Sequence, residues 1–207
     1  MGLFSKDYPP EVADRVPRGQ RLVKTWPVLH YGPIPAFDGA NWDLEVSGLV
    51  ERPTVLSLDQ WRDLPRVAID ADMHCVTGWT TLDNAWEGVS FRTISDLVRP
   101  TVEAKWVIAH CAYGYTSNLS LEAMSDDDVL LAWRNHGEDL TPEHGWPLRL
   151  VVPKRYAWKS AKWLTGLEFT GKNQRGFWEV RGYHVHGEPF AEERYAHQEG
   201  PRAELEP

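Results

Sequence analysis

The chain has 207 residues, enough for one domain with a sizeable buried core. Hydrophobic residues make up 42% and charged residues 25%, an ordinary balance for a soluble globular protein. The formal net charge of −8 argues against nucleic acid as the main partner, and no apolar run approaches the length of a membrane span.

Residues 1–24 are polar and punctuated by prolines, and read as a loose N-terminal arm. Residues 1–20 lack the apolar stretch of a signal peptide. With Cys75 and Cys111 the only cysteines, no disulfide framework organises the chain, and a reducing cytoplasm is the expected setting. Residues 26–35 hold too many prolines for a helix and read as extended segment and loop. Trp42, Leu44 and Val46 alternate with polar residues, as in a half-buried strand ending at Gly48. Ser57 and Gln60 form a capping box for a short helix. Val67, Ile69, Ala71, Met73 and Cys75 share one parity of a strand that ends at Gly78. Val89 and Phe91 mark a further short strand, and Thr93 with Asp96 a second helix start.

Residues 106–111 are again strand-like, with His110 and Cys111 on opposite faces, and 113–118 read as a loop into an edge. An acidic loop at 125–128 precedes a strand over 129–133 and a hairpin-type turn at 135–138. Residues 148–152, an apolar run bounded by Pro147 and Pro153, predict a buried strand, and 164–170 another. Short strands and few, brief helices imply a β-rich mixed α+β fold: one domain over 25–187, then an acidic tail, 188–207, mostly disordered or draped.

The stretch 144–163, HGWPLRLVVPKRYAWKSAKW, is the least generic part of the chain. From Arg149 to Arg181, eight Lys or Arg stand against only Glu168 and Glu179. This surplus suits either an anion pocket, through charge-assisted bonds, or a solvated basic face beside a core strand. No nucleotide-binding glycine loop occurs. Cys75 reads as either a metal-binding thiolate or a small buried hydrophobe. No C-x-x-C or H-x-x-x-H zinc spacing is present; His184 and His186 form a weaker candidate metal pair. The 11 Trp suit core filling, and some could wall a flat cofactor.

The pattern HGxPLRLVVP-x-x-Y-x-x-KS-x-K-W, together with His74-Cys75-Val76, resembles the sulfite-oxidase family of molybdenum enzymes. That family includes sulfite oxidases, plant nitrate reductase and the catalytic subunit of bacterial methionine-sulfoxide reductase. The resemblance implies a molybdenum-molybdopterin cofactor (Mo-MPT), with Cys75 as the single protein ligand to the metal. Carried over residue by residue, it places pterin contacts on Leu29, His30, His110, His144 and Arg149. Ser160, Ala161 and Lys162 fall on the phosphate, and Lys159 would share that role or face solvent.

The chain departs from the family at Leu29, where a substrate arginine is usual, and at His30 and Tyr31, where Asn and His stand. Further departures are His110 for Thr, His144 for Asn or Asp, and the missing arginine after Cys75. Without those cationic forks an anionic substrate fits poorly, so a small neutral S-oxide or N-oxide is expected ahead of sulfite. Trp79, Tyr113 and Tyr115 are expected to edge the pocket. Sulfite oxidation and a non-catalytic binding module are the alternatives. The lack of the family's C-terminal dimerisation domain is a further expected departure. With no haem domain, no flavin fingerprint and too few cysteines for an iron–sulfur cluster read from the sequence, electrons are expected to pass through a separate protein partner.

Overall fold

The computed structural model describes residues 8–201. In chain order its strands are β1 (Arg21–Leu22), β2 (Asp43–Gly48), β3 (Thr54–Ser57), β4 (Arg66–Cys75), β5 (Trp79–Ser90) and β6 (Trp106–Cys111). They continue with β7 (Thr116–Ser120), β8 (Leu130–Asn135), β9 (Glu138–Asp139), β10 (Arg149–Val151) and β11 (Leu164–Thr170). The α-helices among the described residues are short: α1 (Pro10–Ala13), α2 (Leu58–Arg62), α3 (Phe91–Val98) and α4 (Leu121–Met124).

Local chemistry accounts for the helix starts. Ser57 Oγ accepts the Gln60 N–H while Gln60 Oε1 accepts the Ser57 N–H, satisfying two donors at the start of α2. Ser90 caps α3 through the Thr93 N–H. Phe91, Ile94 and Val98, three and four residues apart, then turn one buried face to the core. Phe91 therefore belongs to a helix, not to a short strand. The strand before it, β5, runs 12 residues, much longer than its Val89 signal.

Two sheets form the body. A six-stranded sheet follows the order β1-β5-β8-β10, with β4 also on β5 and β9 on β8. A five-stranded sheet follows β3-β2-β11-β6-β7, with β11 parallel to β2 and its other pairs antiparallel. The main core includes Leu44 and Val46 of β2, Val107 and Ala109 of β6, Leu131 of β8, and Leu167 and Phe169 of β11, sealed by Trp61 and Ile94 from the helices. Burying such a side chain is worth roughly 1.5–3 kcal/mol each. A second cluster holds Met73, Cys75, Trp79 and Trp86, and this cluster borders the candidate site.

Both terminal segments pack onto this body. β1 pairs in parallel with the start of β5, and Arg15 reaches Asp72 and Asp83 at 2.6 Å each. In the tail, Tyr195 bridges Tyr183, Arg175 pairs with Glu199, and the Val185 N–H donates to Glu199 at 2.8 Å. The expected tail is thus draped through residue 201; its final residues lie outside the described region.

Candidate active site

Cys75 ends β4, and Val76-Thr77-Gly78 turns the chain into β5. Gly78 closes this turn by donating its N–H to Cys75 O at 2.9 Å, with a φ of +92° that favours glycine. The thiol is 8% exposed and its Sγ accepts from the Thr77 hydroxyl at 3.2 Å. Burial pushes the Cys75 thiol up, while Thr77 and the positive charge of Arg194 oppose that rise. A metal cation would overcome the burial penalty by binding the thiolate directly.

Arg149, on β10, is the most deeply buried cation of the cavity that Cys75 lines, at 4% exposure. It donates to His144 O at 3.0 Å and Ser160 O at 2.9 Å and lies 5.5 and 5.4 Å from the rings of Trp26 and Trp86. No carboxylate forms an ion pair with it among the described residues, and burial lowers its pKa to about 10. Lys162 donates to Leu29 O and Glu143 O, both at 2.8 Å. Burial, then the charge of Arg149, lower the Lys162 pKa to about 7. Gly145, at φ +115°, lets the two side chains close in: a Cβ there would lie 3.0 Å from Arg149 Cβ and 3.2 Å from Lys162 Cγ.

These residues share one cavity of about 340 Å³, within the range of roughly 300–1,000 Å³ that small-molecule sites occupy. Cys75, Leu29, His30, His144, Arg149, Ser160, Ala161 and Lys162 all line it. His110 does not. Ala109 and Cys111 face the core, so His110 points to the opposite side of β6, where its Nε2 lies 2.9 Å from Glu168. Trp79 and Tyr115 are in the cavity wall, whereas Tyr113 is 58% exposed and outside it. Lys159 neither reaches the cavity nor faces solvent; it is wholly buried against Glu179 at 2.6 Å. The remaining basic residues also scatter: Lys154 pairs with Asp126, and Arg181 lies over Phe177. Among the described residues no cluster of three or more His, Cys, Asp or Glu side chains placed to hold a metal exists, so His184 and His186 belong to no such cluster.

Sequence reading missed Trp26, Met73, Trp178 and Tyr183, which also line the cavity. Trp178 and Tyr183 come from a turn around the short 3-10 segment Glu179–Arg181, whose position depends on long-range packing.

The lining suits an anionic, hydrogen-bonding cofactor. Three buried nitrogens within it, Trp79 Nε1, His144 Nε2 and Arg149 Nε, have no partner among the described residues. Buried polar atoms are normally satisfied, so the two donors Trp79 Nε1 and Arg149 Nε call for acceptors, and His144 Nε2 for a partner of either kind. The N–H groups of Ala161, Lys162 and Trp163 likewise find no acceptor among the described residues. With Trp163 at φ +61°, that run resembles the backbone concavities that bind phosphate. Ser160 Oγ accepts from the Val152 N–H at 2.9 Å, which leaves its hydroxyl proton free to donate. A buried thiol at one part of the cavity, and two cations beside unpaired backbone N–H groups at another, suit a metal-bearing pterin with an anionic end.

Comparison with known proteins agrees. Residues 31–178 match the family described as oxidoreductase molybdopterin binding domain. The chain is 45% identical over 193 residues to the uncharacterized oxidoreductase YuiH of Bacillus subtilis, covering 93% of this chain and 98% of that protein. It is 29% identical to the protein-methionine-sulfoxide reductase catalytic subunit MsrP of Campylobacter jejuni, over 69% of this chain and 54% of that one. The sulfane dehydrogenase SoxCD of Paracoccus pantotrophus superposes with a TM-score of 0.64 at 26% identity, covering 69% of this chain and 41% of that chain. The chain thus spans nearly the whole of one relative and about half of the others. This match across most of the chain places it in the molybdopterin-binding oxidoreductase family of sulfite-oxidase type.

Proposed function

We propose that this enzyme reduces a small neutral S-oxide or N-oxide, with Cys75 as the protein thiolate on molybdenum. When bound, the molybdenum cofactor supplies the two-electron change and oxygen-atom exchange. Arg149, Lys162, Ser160 and the Ala161 N–H hold its phosphate, and Leu29, His30 and His144 border its pterin. The net reaction consumes two electrons and two protons and releases the reduced compound and water. A separate electron-transfer protein supplies the electrons. The two free thiols, Cys75 and Cys111, support a cytoplasmic setting.

One observation carries the substrate class. The cavity residues nearest Cys75 in sequence, Met73, Val76, Thr77 and Trp79, are all uncharged. The cations of the lining, Arg149 and Lys162, sit together about Gly145, where we assign both to the cofactor's phosphate. An anionic substrate would lack the forked donors that repay its desolvation.

The chain's own contribution is orientation and exclusion of water: the aromatic walls keep the site apolar, and Thr77 holds the sulfur by a hydrogen bond. The test is a panel assay with reduced and oxidised mediator dyes. Reduction of S-oxides that persists at high salt is expected, because a neutral substrate is little screened. Efficient sulfite oxidation, saturating well below millimolar, would overturn the assignment.

A further inference from the structure

The Cys75 turn is held from outside by residues beyond the family-matched 31–178. Gln20 Nε2 donates to Cys75 O at 3.1 Å. The Arg21 N–H donates to Gly78 O at 3.0 Å. Arg194 Nη1 donates to Val76 O at 2.6 Å. Three carbonyls of one short turn therefore end on donors from the two terminal segments.

Arg194 also ties those segments together. Its Nη2 reaches Arg18 O at 3.5 Å, and its guanidinium lies 5.1 Å from the Tyr156 ring. The residue is itself fixed: Gln198 Oε1 accepts the N–H groups of Arg194 and Tyr195 at 2.9 and 2.8 Å. Tyr156 in turn donates its N–H to Gly187 O at 2.7 Å, and Ala157 donates its N–H to His74 O at the same distance. The tail, the ligand turn and the start of the phosphate loop form one connected network.

We propose that Arg194 is a positioning residue for Cys75, and that the C-terminal segment carrying it is a clasp on the ligand turn. A lone thiolate ligand must be held to within about half an ångström by its supporting shell. A turn with glycine at its end does not supply that rigidity alone. The guanidinium does, because its rigid planar fork sets a fixed geometry toward Val76 O and Arg18 O. Arg194 does not line the cavity, so it positions the sulfur without touching it, through the turn that it grips.

The test compares the full chain as isolated with Arg194→Gln, Arg194→Lys and the exposed control Arg52→Gln. Hydrogen exchange is followed in peptides covering 73–80 and 164–170, and molybdenum is measured after dialysis. Arg194→Gln is expected to speed exchange in 73–80 by about tenfold or more, as for loss of one charge-assisted bond, leaving 164–170 unchanged. Arg194→Lys should recover part of the protection, and molybdenum retention should follow the same order. Unchanged exchange in 73–80, or a uniform rise in every peptide, would overturn the clasp. The metal arm rests on Cys75 being the ligand. If the wild type holds no molybdenum while the local exchange effect persists, that reading fails and the clasp stands.

Discussion

Lys159 Nζ lies 2.6 Å from Glu179 Oε1, and neither side chain is exposed to solvent. The same ammonium donates to Asn118 O, Asn118 Oδ1 and Val185 O at 2.8, 3.0 and 2.7 Å. Glu179 Oε1 also accepts from Trp158 Nε1 at 2.8 Å. One buried ion pair thereby joins two walls of the cavity, that of Trp158 and that of Trp178 and Tyr183. Burial pushes the Lys159 pKa down, and Glu179 opposes the shift.

Removing one partner strands the other charge in the interior. Lys159→Met is expected to cost about 3–5 kcal/mol of folding stability, read from urea denaturation. Were Lys159 instead a phosphate ligand, the variant would keep its stability and lose pterin.

Arg149→Ala should weaken cofactor retention by about 1.5–3 kcal/mol, the worth of a charge-assisted bond. Pterin content after dialysis measures it. Arg149→Lys should rescue little, because lysine lacks the rigid planar fork that spans His144 O and Ser160 O while leaving Nε for the cavity. Full retention in both variants would move the anion site elsewhere.

Lys162 makes retention pH-dependent. Its pKa is lowered to about 7, and a bound phosphate raises it again by favouring the charged form. Affinity is then full below that value and falls as pH rises above it. Pterin retention should drop between about pH 6 and about pH 9 in the wild type, and Lys162→Arg should flatten the profile. An equally steep profile in Lys162→Arg would assign the titration to another group.

His184 sets an acid limit on the draped tail. Its Nδ1 accepts the N–H groups of His186 and Gly187 at 3.1 and 3.3 Å, and burial holds its pKa below the ordinary 6.5 despite Glu193 and Glu199. As pH falls below that unfolded value, the unfolded chain takes up the proton first. The contribution to stability is therefore full above 6.5 and is lost as pH drops toward the folded value. Protection from hydrogen exchange in 183–200, taken relative to the intrinsic rate at each pH, should fall on acidification. His184→Asn, which can accept but does not titrate, should blunt that fall.

The parts legible in sequence are those with local causes. The α2 capping box, the 164–170 strand and the 144–163 motif each declare themselves within a few residues. β5 was largely hidden because Thr80, Thr81 and Asn84 are polar yet buried, pinned by bonds such as Thr80 to His74 and Asn84 to Trp26. The end of β4 also defeats parity, since a bulge between Ala71 and Met73 precedes three consecutive buried residues. Lys159 carried no local sign of burial, because Asn118, Glu179 and Val185 meet it only in the folded chain. The same holds for Arg194, whose acidic surroundings in sequence suggest solvent rather than a grip on Val76.

Molybdenum content tests the central assignment most directly, measured in wild type, Cys75→Ser and Cys111→Ser made in a pterin-competent host. Cys111 is buried in the main core, outside the cavity, and burial pushes its thiol far up, so Cys111→Ser should keep the metal. Wild type should hold one molybdenum per chain, and Cys75→Ser should lose it or hold it labile, an alkoxide being a poorer partner for a soft site. Zinc or no metal in fully folded wild type, or undiminished molybdenum in Cys75→Ser, would contradict the assignment.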